Sequence, residues 1–174
     1  MDWIPTPRSA KGRLVLQAIE AFANAGFDGV NVTELTQSVG VTTGVLYHHF
    51  GSKEGLYAVV REELERRVVD RMDGAAAVLS DEPDRAVAGT ALVGFDAAIQ
   101  LNAHRVLAEP PRRRDHELIA DYFRRLCQGR PPGLEVVLAA AWRAALQMVV
   151  DGHDPVQARS ALEWIVSRKP ASPP

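Results

Sequence analysis

A single cysteine, Cys127, stands in 174 residues, so no disulfide can form within the chain and no cysteine-based zinc site can be built. Aromatic residues make up only 6%, and β-branched residues are outnumbered by alanine, leucine, glutamate and arginine, a balance that favours helix over strand. No uninterrupted apolar run is long enough to span a bilayer, and Met1 to Arg13 lacks the charged-then-apolar order of a signal peptide. The expected location is therefore cytoplasmic, with no membrane partner. An excess of positive charge is also missing. The net charge is −2, and residues 1–60 carry Arg8, Lys11, Arg13 and Lys53 against Asp2, Glu20, Asp28, Glu34 and Glu54. Any binding to nucleic acid must come from placement and not from bulk charge. What the chain does have is apolar residue in quantity, 47% against 24% charged, enough to bury a core and to exclude disorder for most of its length.

The apolar pattern is helical throughout. Val15, Ala18, Ile19 and Phe22 form one stripe of a first helix, which Gly26 is expected to stop as a left-handed cap. Asn31 and Glu34 make a capping-box arrangement at the start of a short second helix through Leu35 and Val39. Gly40 follows it, where positive φ is cheap only for glycine. A third short helix runs from about Thr43 to Phe50, capped by Thr42 or Thr43. Ser52 caps a fourth, from Lys53 to about Leu79 and on the order of 40 Å long. Its apolar residues Leu56, Val60, Leu64, Val68 and Met72 step by four, so the stripe turns by about 160° along the run. One end then packs in the amino-terminal head and the other in a second body. Further helices are expected over Asp84–Asn102, near Asp115–Cys127, over Leu134–Val150, and from the Asp154-Pro155-Val156-Gln157 start onward. The run 109–114 reads as a loop and 170–174 as a disordered tail. The expected fold is all-α, with a head over 1–52, a connecting helix over 53–79 and a helical body over 60–169.

Three short helices with the second and third joined at Gly40 describe a helix-turn-helix. Leu35, Val39, Val41 and Leu46 can lock the helices together. Thr42, Thr43 and Gly44 offer small groups at the amino end of the third helix, where base edges are reached, and Tyr47 and His48 follow a turn later. Hydroxyls and helix amino-terminal N–H groups are ordinary partners of phosphates and bases. Lys53 adds a cation just beyond.

The ordered residues Ala21-Phe22-Ala23-Asn24-Ala25-Gly26-Phe27-Asp28-Gly29-Val30, Val32-Thr33-Glu34-Leu35 and Val39-Gly40-Val41-Thr42-Thr43-Gly44-Val45-Leu46-Tyr47-His48-His49-Phe50-Gly51-Ser52-Lys53-Glu54-Gly55-Leu56 resemble the tetracycline-repressor-like (TetR) transcriptional regulators. The resemblance covers about the first sixty residues closely and the remainder in architecture. It implies that Thr33, Thr42, Thr43, Gly44, Tyr47, His48 and Lys53 occupy DNA-facing positions, with Tyr47 and Lys53 at phosphates, Thr43 and Gly44 nearest base edges, and His48 at either. It also implies a repressor that leaves a pseudo-palindromic operator when a small-molecule effector binds the body. Thr36 stands where the family usually has alanine, which implies looser packing of the second helix.

Other residues keep plainer readings beside functional ones. His49 packs within the head or touches DNA. His48 and His49 point about 100° apart and do not share a metal. Neither do His104, Glu109, His116 and His153 show metal-ligand spacing, and no cofactor is expected. Arg112–Arg114 reads as a solvated loop, and Cys127 as a small buried hydrophobe or a redox sensor. The sequence offers no nucleophile elbow, phosphate loop or paired acid and base, so an enzyme is not expected; a helical enzyme or a protein-interaction module is the competing class. Phe95, Tyr122 and Trp142 are candidate walls of an effector cavity, and Gly89 and Gly94 open room there or permit close helix packing. Residues 134–150 and 154–168 are expected to form a homodimeric four-helix bundle, with Leu146 and Leu162 in the interface.

Overall fold

A computed structural model describes residues 9–111 and 117–167, and within them the chain is helical with no strand. Arg112–Arg114, Asp115, His116, the segment before Ser9 and the tail 170–174 lie outside the described residues. The helices are α1 (Ala10–Gly29), α2 (Val32–Ser38), α3 (Thr43–Phe50), α4 (Lys53–Val78), α5 (Pro83–Gln100), α6 (His104–Ala108), α7 (Leu118–Leu126), α8 (Leu134–Val150) and α9 (Pro155–Val166). None is long and apolar enough to cross a membrane.

Local chemistry sets most of the boundaries. The Ser9 hydroxyl accepts from the Gly12 N–H at 3.0 Å and Ser52 accepts from Gly55 at 3.0 Å. Asn31 accepts from the N–H groups of Thr33 and Glu34 at 2.8 and 3.4 Å. Such caps are worth about 1 kcal/mol each. Gly26 interrupts α1 where the sequence places its stop. It adopts φ 70°, ψ −179°, a region open essentially to glycine alone, and the chain resumes a further turn through Gly29. The positive φ is as expected, whereas ψ is extended and not that of a left-handed cap.

Two bodies share α4. Its stripe Leu56, Val60, Leu64, Val68 and Met72 is buried throughout; α4 packs on α1 and α3 of the head and on α5, α6 and α7 of the body. Gly89 and Gly94 serve close packing. A Cβ at Gly89 would lie 2.5 Å from Leu79 Cδ1, and one at Gly94 2.8 Å from Met72 Sδ. Cys127 is buried and burial pushes its thiol up, which favours the small-hydrophobe reading over the redox sensor.

Helix α6 is an element the sequence did not suggest. Asn102, the one non-glycine residue with positive φ (52°) among those described, breaks the chain after α5. Its amide then donates to Asn24 of α1 at 3.1 Å. Ala103, Val106, Leu107 and Ala108 are all buried, and a five-residue helix is too short to show an apolar period. Helix α7 is described from Leu118; the expected start near Asp115 lies outside the described residues.

The expected interface residues also need correction. Leu146 and Leu162 are 0% and 1% exposed within one chain, as is Ala158; they hold α8 and α9 onto their own body. The outward face carries Val136, Val137, Val156, Trp164 and Ile165 instead.

Candidate nucleic-acid interface

The head presents α3 outward. Leu46 is fully buried and, with Leu35, pins α3 to α2; Val39, Val41 and Phe50 pack around them. In the turn between the helices, Gly40 takes φ 69°, and the N–H groups of Gly40 and Val41 donate to Gln37 and Thr36 carbonyls at 3.0 Å each. Thr36 is buried, and its hydroxyl donates to the Thr33 carbonyl at 3.0 Å. The threonine therefore satisfies itself locally and does not loosen α2.

On the opposite side, Thr43 and Tyr47, and Gly44 and His48, stand four residues apart and share one face of α3. Thr42, Gly44, Tyr47 and His48 are exposed, while Thr43 and Lys53 are half-buried. Tyr47 is 51% exposed. Thr42 occupies the N-cap of α3, yet its side chain makes no capping bond, so its hydroxyl is not spent on its own helix. At eight residues α3 is about 12 Å long, comparable to the width of the major groove. Thr33 sits exposed in the first turn of α2.

Gly44 stands out chemically. Its φ is not positive, and an added Cβ would meet only Thr42 Oγ1 at 3.6 Å, an ordinary contact. Nothing inside the protein requires glycine there, although glycine in a helix costs about 1 kcal/mol relative to alanine.

The cations are held by rings. Lys53 Nζ lies 4.6 Å from the centroid of Phe27, and Lys11 Nζ lies 5.8 Å from that of Phe50. Lys11 was not among the residues singled out from sequence; nothing in its spacing marks it, since the ring it meets belongs to a different helix. His49 is exposed with its ring 6.1 Å from that of Phe50.

Beneath the head lies a polar cluster that the sequence reading missed. Arg61 and Glu65 are both buried. Arg61 Nε donates to Glu65 Oε1 at 2.8 Å, and Glu65 Oε2 accepts the Leu118 N–H at 2.8 Å. Arg143 pairs with Glu117, and Arg61 Nη2 approaches the same carboxylate at 3.8 Å. The pair accounts for the lone basic residue on α8, and the i, i+4 spacing of Arg61 and Glu65 marks an ion pair without showing that it is buried.

Burial pushes the Glu65 carboxyl above its ordinary value of 4.5, against the opposing pull of Arg61 and the Leu118 N–H and with a further push from Glu117. The folded protein holds this proton more tightly than the unfolded chain. The group's contribution to stability is therefore complete below about pH 4.5 and is lost as pH rises through the raised value. Thermal midpoints of the wild type and of Glu65→Gln, compared across this range, should show the wild type losing ground to the variant as pH rises. A difference that moves the other way contradicts the assignment.

The buried helix-turn-helix with its outward, hydroxyl-rich third helix defines the class: an all-α protein with a helix-turn-helix head. Residues 14–60 match the family model described as bacterial regulatory proteins, tetR family. It is 36% identical over 76 residues to the HTH-type transcriptional repressor Rv1474c of Mycobacterium tuberculosis, covering 42% of this chain and 41% of that protein. It is 29% identical over 115 residues to the HTH-type transcriptional repressor KstR2 of Mycolicibacterium smegmatis, covering 64% of this chain and 54% of that one. The chain thus spans about half, or less, of the length of these curated relatives. In fold it is similar to the crystal structure of a tetR family transcription regulator from Shewanella sp. PV-4, with a TM-score of 0.67, 20% identity, and coverage of 91% of this chain and 96% of that one.

Proposed function

We propose that this chain is a homodimeric, sequence-specific DNA-binding regulator, a repressor released from a pseudo-palindromic operator when a small-molecule effector binds its helical body. The observation that carries the reading is Gly44. An exposed helical glycine without an internal reason is explained by close approach of an outside surface, and base edges in a major groove are that surface. Around it, Thr43 faces bases, Tyr47, Lys53 and the uncommitted Thr42 hydroxyl face phosphates, Thr33 flanks them on α2, and His48 serves either role.

Two heads must be joined, and the outward apolar face of α8 and α9 supports pairing of two copies into a four-helix bundle. In the body, Phe95, Tyr122 and Trp142 are all buried, and the Trp142 indole N–H has no hydrogen-bond partner among the described residues. A buried unspent donor is costly, which supports an effector that brings an acceptor to it. Helix α4 reaches both bodies and carries the change. A shift of a few ångströms matters because half-sites lie one helical turn, ~34 Å, or a multiple of it apart.

Gel shifts on genomic fragments, including the promoter beside the chain's own coding region, test this reading. Tyr47→Ala should weaken binding to all sequences alike, and a change at Thr43 should alter base preference. Gly44→Ala should raise helix stability by about 1 kcal/mol while weakening operator binding. If none of the three changes specific affinity, α3 is not the reader.

A further inference from the structure

Tyr57, Arg61 and Glu65 recur every four residues and so share one face of α4, and all three reach the facing ends of α6 and α7. Arg61 Nη1 donates to the Val106 and Glu109 carbonyls at 2.9 and 2.7 Å, at the carboxy-terminal end of α6. Through Glu65 it is tied to the Leu118 N–H that opens α7. The Tyr57 hydroxyl donates to the Val106 carbonyl at 3.4 Å and to the Glu109 carboxylate at 3.2 Å. Its ring meets the head, edge-on to Phe22 at 4.9 Å and to Phe27 at 5.2 Å. Phe27 in turn holds Lys53. One run of contacts therefore leads from the ends of α6 and α7 to the cation beside the reading helix.

Buried ionic groups of this kind add little stability over well-packed apolar residues, because both charges are stripped of water. Arginine does contribute direction: its planar fork fixes several acceptors at once, which an apolar side chain cannot.

We propose that Arg61 is a positioning residue for DNA recognition, fixing the tilt of α4 against α6 and α7 and through Tyr57 the placement of the head. This rests on the regulator reading above and adds to it that the polar row, more than the apolar stripe, holds the head at the angle the operator requires. Arg61→Lys keeps the charge beside Glu65 but loses the fork. Tyr57→Phe keeps the ring stack but loses the bonds to Val106 and Glu109.

The test pairs operator affinity with a head-to-body distance. Spin labels on Asp28→Cys and Gln157→Cys, both exposed positions, report that distance when labelled chains are diluted with unlabelled ones. Arg61→Lys should shift or broaden the distance distribution with helicity retained. It should also lower operator affinity by about ten-fold, comparable to losing one base contact; Tyr57→Phe should move both in the same direction. Variants that melt lower yet keep the wild-type distance and affinity would overturn the proposal and leave the cluster a structural tie. Should Arg61→Lys not fold, Tyr57→Phe decides alone. A wild type that binds no operator would refute the regulator reading, while the distance distribution would still decide the positioning claim.

Discussion

Gly55→Ala should cripple the head. A Cβ at this position would lie 1.9 Å from the Phe50 carbonyl oxygen and 3.1 Å from its carbon, so the first turn of α4 and the end of α3 touch backbone to backbone. No side-chain rotation relieves such an overlap; α3 or α4 must move by an ångström or more. Overpacking of this severity costs about 3 kcal/mol. Moreover, the displaced element is the one that carries Thr43, Gly44 and Tyr47. Chemical denaturation should show the loss of stability, and operator binding should fall with it. Wild-type values for both would mean that α3 and α4 are not seated as described. The contrast with Gly44→Ala is informative, since one glycine is required by the protein's own backbone and the other is not.

A charge on the outward face of the last two helices should have an equally large effect on binding without unfolding the chain. Trp164 is 64% exposed and Val137 60% exposed, an unusual placement for large apolar groups on adjoining helices. Trp164→Asp or Val137→Asp should give a folded monomer by sedimentation. Losing the second head removes the linkage between half-sites, which is worth about 10²–10⁴ in affinity. Leu162→Asp should behave differently, because it buries an unpaired charge in the chain's own core and should unfold the body at a cost of several kcal/mol. A wild type that sediments as a monomer at micromolar concentration contradicts the dimer.

The parts of the fold that were legible in the sequence are those where one local rule decides. Asn31 and Ser52 announce helix starts, Asp154-Pro155 does the same for α9, and Gly40 announces the turn; each acts within a few residues of itself. The α4 stripe was legible because five residues in register leave no other period. What was not legible depends on partners distant in the chain. Helix α6 exists because Asn102 breaks α5 and because Val106 and Leu107 find the interior, neither of which its five residues reveal. Arg61 and Glu65 look like an ordinary surface pair until Val106, Glu109 and Leu118 are brought against them. Leu146 and Leu162 are covered by their own chain, which the sequence does not reveal, because an apolar stripe marks a buried face without saying whether the same chain or a second copy covers it. At the candidate interface, the exposure of Thr42, Gly44, Tyr47 and His48 agrees with the sequence motif, whereas the ring supports of Lys11 and Lys53 come from other helices.

The most direct measurement of the central claim is a footprint of the wild-type protein on the promoter beside its own coding region. Two protected half-sites about one helical turn or a multiple of it apart are predicted, with protection weakened by Gly44→Ala despite the variant's higher melting point. Protection that is absent, or that shows no preference among sequences and is indifferent to Gly44→Ala, would contradict the account.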